Sequence, residues 1–92
     1  MSKLSITEIE QNIKKLKGWR WDGESIKKEW AFKDFKEALQ FIHKVGLIAE
    51  QQNHHPEIVN VYNRVSLRYF THDVGGLTLR DFQAAEAIDK LA

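Results

Sequence analysis

Three side chains in this 92-residue chain have the type and placement for proton transfer: His54, His55 and His72. An unperturbed imidazole titrates near 6.5, so it can both take and give protons around neutrality. His54 and His55 are adjacent and followed by Pro56, which pushes residue 55 toward an extended backbone. Neighbours of this kind cannot share one helix face and must project from a junction between elements. His72 follows directly on a strand-like run and can approach the same end of a sheet. Two histidines in opposite protonation states supply an acid and a base to one reaction. Two other readings stay open at this point. The three can be plain polar loop residues, or they can hold a metal with Asp81 or Glu50, since neutral imidazole binds zinc. Adjacent histidines diverge, however, and no two lie at i and i+4, so the chelate spacing is poor. His43 sits mid-helix among polar residues and is given no role.

Other candidates are weaker. Trp19, Tyr62 and Tyr69 can form a stacking wall for a flat heterocycle, or they can simply pack in a core. Gly75-Gly76 precedes a predicted helix, where an anion can bind, although a loop leading into the helix explains it as well. No serine or threonine stands in a nucleophile-elbow context, and no glycine-rich phosphate loop follows a strand. The absence of cysteine excludes disulfides, thiolate metal sites and a cysteine nucleophile. Fourteen Lys and Arg face thirteen Asp and Glu, for a net charge of +1. The charges interleave, as in Lys27-Lys28-Glu29, and give a solvated surface without the basic stripe of a nucleic-acid binder. No apolar run reaches the roughly 18 residues of a membrane span, and Met1 to Ser5 does not resemble a signal peptide. The expectation is a cytoplasmic protein with no nucleic-acid or membrane partner.

The elements that must position these residues follow from periodicity. Ser5-Ile6-Thr7-Glu8 has the form of a capping box, followed by Ile6, Ile9, Ile13 and Leu16 at helical spacing. That helix should end before Gly18. Trp19-Arg20-Trp21, the turn dipeptide Asp22-Gly23, and then Ile26, Lys28, Trp30 and Phe32 on one face read as a hairpin. Lys28 is the poor fit to a buried face. Asp34 can cap a long helix running to about Gln52, with Phe35, Ala38, Leu39, Ile42, Val45 and Ala49 in its apolar stripe. Ile58 to Tyr62 and Val65 to Phe70 read as two strands with Asn63-Arg64 between them. Thr71 to Leu77 reads as a loop, and Thr78-Leu79-Arg80-Asp81 as a second capping box opening a last helix. Asp81 can therefore complete that box or orient His72. The order helix, two strands, long helix, two strands, helix predicts a single α+β domain over residues 1–92. It should form two layers, with a four-stranded antiparallel sheet carrying its helices on one face. A chain this short buries only about 60–65% of its unfolded surface. Its sheet edges are open, so self-association is a natural source of further burial.

Glu50-Gln51-Gln52-Asn53-His54-His55-Pro56, with Tyr62, His72 and Asp81 at their spacings, resembles the signature of the pterin-4a-carbinolamine dehydratases. Asn60 to Val65, Thr71 to Thr78 and Gly18-Trp19 are similar to segments of the same family, so the resemblance spans essentially the whole chain. It implies a hydro-lyase that dehydrates 4a-hydroxytetrahydrobiopterin to the quinonoid dihydropterin, recycling the cofactor of aromatic amino-acid hydroxylases. It implies no metal and no organic cofactor. Within the catalytic set His54, His55 and His72, acid/base work falls to His54 and His72, and substrate binding and support to His55. Glu50, Trp19 and Asp81 belong to the substrate pocket or its frame. Dimers formed through sheet edges, paired into tetramers through helices, are also implied. So are two alternatives: a non-enzymatic interaction module, since animal members stabilise a homeodomain transcription factor dimer, and a role in molybdopterin metabolism.

Overall fold

The computed structural model describes residues 2–91. Its elements are α1 (Ile6–Ile13), β1 (Arg20–Trp21), β2 (Ile26–Ala31), α2 (Phe35–Gln52), β3 (Glu57–Val61), β4 (Arg64–Tyr69), a 3-10 turn (His72–Val74) and α3 (Leu79–Asp89). The strands form one antiparallel sheet in the order β1-β2-β4-β3, with β3 at a free edge. The α+β class and the single four-stranded sheet agree with the sequence.

Both capping boxes form. The Ser5 hydroxyl accepts from the Glu8 amide while the Glu8 carboxylate accepts from the Ser5 amide, and Thr78 and Asp81 do the same for α3. The Asp34 side chain caps α2 through the Glu37 amide at 2.9 Å. Alternation along β4 sends Val65, Leu67 and Tyr69 into the core, where they join Ile26, Val45 and Ile88. Trp30 bridges the aromatic layer, with Trp19 edge-on at 5.7 Å and Phe41 tilted at 4.9 Å.

Several details depart from the sequence expectation. α1 stops at Ile13, and Leu16 packs against the core from beyond the helix. The β3–β4 turn is Tyr62-Asn63 rather than Asn63-Arg64, because Val61 pairs directly with Arg64. Asn63 sits there because its backbone carbonyl and its side-chain amide both bond Phe32, each at 2.8 Å. Tyr62 consequently takes the left-handed conformation, at φ 50°. Lys28 fits its inward face because its ammonium bonds Asp89 at 2.9 Å and the Lys17 carbonyl at 2.8 Å, and lies 5.1 Å from the Trp30 ring centroid. The Thr71–Leu77 segment is not a loose loop. Thr71 pairs with Gly76 around the 3-10 turn, and Gly75 closes that turn at φ 65°.

Candidate active site

The end of α2 decides where the paired histidines point. Asn53 adopts a left-handed conformation, φ 50° and ψ 44°, with its amide returned to Ala49 and Glu50. Asn is one of the few residues that visits this region at low cost. The His54 amide also bonds the Ala49 carbonyl at 3.0 Å. This reversal turns His54 inward, where it is 8% exposed, and leaves His55 outside.

Beneath His54 lies a buried polar network. His54 Nε2 is 2.6 Å from Asp81 Oδ1, and Asp81 is fully buried. The second Asp81 oxygen accepts from the Thr71 hydroxyl at 2.7 Å and the Thr78 amide at 2.9 Å. An ionised carboxylate only accepts. Toward an ionised Asp81, Nε2 carries the proton of the His54 contact and the Thr71 hydroxyl is the donor. The Thr78 hydroxyl, 2.9 Å from Thr71 Oγ1, then donates to it. With Nε2 committed to Asp81, Nδ1 is the other ring nitrogen of His54. The Tyr69 ring lies 5.2 Å from the His54 ring. Burial, with the Asp81 charge adding to it, pushes the Tyr69 phenol up to about 12, so it stays protonated and serves as a donor.

His55 Nε2 meets Glu50 Oε2 at 2.5 Å, and both side chains are more than half exposed. His72 stands on the 3-10 turn, exposed, with its ring edge-on to Phe70 at 6.0 Å. A cleft of about 240 Å³ joins these groups, lined by Asn53, His54, His55, Phe70, Thr71, His72, Asp73 and Arg80. The chain thus brings all three histidines to one concavity, from the α2–β3 junction and from the turn after β4.

The family described as pterin 4 alpha carbinolamine dehydratase matches residues 2–91. This chain belongs to that family. A relative from Sulfurisphaera tokodaii is 45% identical over 99% of this chain and 98% of its own length. One from Prochlorococcus marinus is 43% identical over 99% and 96%. Both carry the name pterin-4-alpha-carbinolamine dehydratase as a provisional assignment. A crystal structure titled transcriptional coactivator/pterin dehydratase, from Brucella melitensis, shares the fold at a TM-score of 0.93 and 36% identity, covering 99% of each chain.

Within this dehydratase-family fold, one carboxylate departs from the sequence expectation. Asp81 does complete the capping box, but the imidazole it holds is His54 and not His72. The first turn of α3 lies beneath the α2–β3 junction, whereas His72 sits outside on its own turn. Glu50 holds His55. Trp19 lies outside the cleft. It is 5% exposed, and its indole donates to Asp89 at 3.0 Å, at the opposite end of α3 from Asp81. Tyr62 is at the hairpin tip, at the far end of β3 from His55. Among the described residues, no group of three or more His, Cys, Asp or Glu side chains is placed to hold a metal ion. Asn53, Phe70, Thr71, Asp73 and Arg80 were not anticipated as lining. Asn before His-His, as a left-handed cap former, and Arg80 inside the capping box were the available signals.

Proposed function

We propose that this chain dehydrates a 4a-hydroxy-tetrahydropterin to the quinonoid dihydropterin in the cytoplasm, recycling a pterin cofactor. The observation that carries the reading is the buried Asp81–His54 pair under a cleft that also presents His55 and His72. The reaction removes the proton from ring nitrogen 5 and the hydroxyl from carbon 4a. The electron pair of the N–H bond becomes the new C=N bond, and water leaves. His54 accepts the proton at Nδ1, because Asp81 at Nε2 stabilises the imidazolium that forms, as a carboxylate does for a histidine base. His72 protonates the departing hydroxyl, since hydroxide is a poor leaving group. Each transfer contributes roughly 100- to 10,000-fold. His55, steadied by Glu50, binds the substrate at the rim, and Trp19 supports the frame.

We also propose a homo-oligomer. The free β3 edge exposes Ile58, Val59 and Val61, and α2 exposes Phe35, Leu39 and Leu47. The functional test is direct. A 4a-carbinolamine generated chemically loses water slowly unaided. Catalytic amounts of the protein should accelerate that absorbance change in proportion to enzyme concentration, and no acceleration above background would overturn the assignment.

A further inference from the structure

Arg80 lines the cleft beside the histidines, and among the described residues no other lysine or arginine does. Its guanidinium Nη2 donates to the backbone carbonyls of Gln52, at 3.1 Å, and Asn53, at 2.5 Å. These belong to the last residue of α2 and to its left-handed cap, the two positions immediately before His54. Carbonyls at a helix C-terminus lack partners within the helix and carry the negative end of its dipole, so a fixed cation there satisfies them twice over. The next residue, Asp81, grips the His54 ring. Two adjacent residues in the first turn of α3 thus hold the α2–β3 junction from both sides, one by its backbone and one by its imidazole.

This double grip matters because the junction has alternatives. Asn53 sits in the left-handed region, which for Asn costs little to enter but still lies above the right-handed alternative. A return toward right-handed geometry would redirect both His54 and His55. We infer that Arg80 is a positioning residue of the cleft, holding the Asn53 reversal so that His54 stays seated on Asp81. The inference rests on the dehydratase reading for its kinetic consequence, but not for its structural one.

The test uses the full chain carrying Arg80→Gln or Arg80→Lys. In R80Q, turnover at saturating substrate should fall about 10- to 100-fold, as expected when a catalytic group is misplaced by an ångström or so. The downfield proton resonance of His54 Nε2–H, bonded to Asp81, should broaden or vanish while the protein remains folded. R80K keeps a cation within reach of the same carbonyls and should restore the resonance and most of the turnover. A merely structural staple would lower Tm in R80Q while leaving both the resonance and turnover unchanged, and that result overturns the inference. Should the wild-type protein prove inactive, the kinetic arm fails together with the proposed function. The resonance in R80Q against R80K then decides the positioning role by itself.

Discussion

Residue by residue, the three histidines should fail in different ways. On the proposed mechanism His72 is the acid that assists hydroxide departure, so turnover of His72→Ala should drop roughly 100-fold, about 2.7 kcal/mol of barrier. Because His72 is an exposed side chain on a surface turn, Tm should be nearly unchanged. His55→Ala should raise KM more than it lowers turnover, the mark of a residue whose binding contribution is uniform along the reaction. His43→Ala on the exposed side of α2 is the control and should be silent. Tyr69 makes a separate, pH-dependent prediction. Its phenol is pushed up to about 12 in the folded chain, first by burial and then by Asp81, against about 10 when unfolded. A group with a raised folded pKa contributes stability that is intact below the unfolded value and is lost as pH rises through the folded one. Stability should therefore decline between about pH 10 and 12 by some 3 kcal/mol. Denaturant titrations of Tyr69→Phe should show a shallower loss over that window. Equal slopes would mean that the phenol is not held as described.

At the level of elements, the helices and strands were legible because their signals are local. Two capping boxes, the Asp34 cap and the 3.6- and 2-residue periodicities each lie within a few positions of what they control. The Tyr62-Asn63 turn was not legible, because Phe32 on the neighbouring β2 strand fixes it. Lys28 looked wrong for a buried face because Asp89, its partner, is 61 residues away. The candidate site divides the same way. Three histidines at junctions could be read from the chain, and so could carboxylates near them. That Asp81 would serve His54 could not, because it depends on how the first turn of α3 sits against the end of α2. Thr78 joins these levels, since its hydroxyl both caps α3 and feeds the Asp81 network. Thr78→Ala should cost about 1–2 kcal/mol of stability, for the lost cap and the unsatisfied buried partner. It should also reduce turnover, whereas Ser5→Ala in the exposed cap of α1 should lower only Tm. Equal turnover in the two variants would separate the cap from the site.

For the whole molecule, β3 and α2 carry most of the large apolar side chains left exposed among the described residues, with Ile6 and Leu79 on the other two helices. An exposed apolar edge strand is a template for pairing, and most soluble assemblies are symmetric. Light scattering at micromolar concentration should give a dimer or tetramer mass. Val61→Lys on the β3 edge should lower that mass, and a wild-type monomer would remove the assembly claim. Among the described residues, no helix is long and apolar enough to cross a membrane. Activity should survive exhaustive chelation, and recovery of lost activity on adding zinc would reassign the histidines. The central claim is that His54, seated on buried Asp81, is the base. Its most direct test is turnover of His54→Ala at saturating carbinolamine, after subtraction of the unaided reaction, with fold and mass checked in parallel. Turnover should fall roughly 100-fold or more with the fold intact. A folded His54→Ala protein that keeps near-normal turnover would contradict the account.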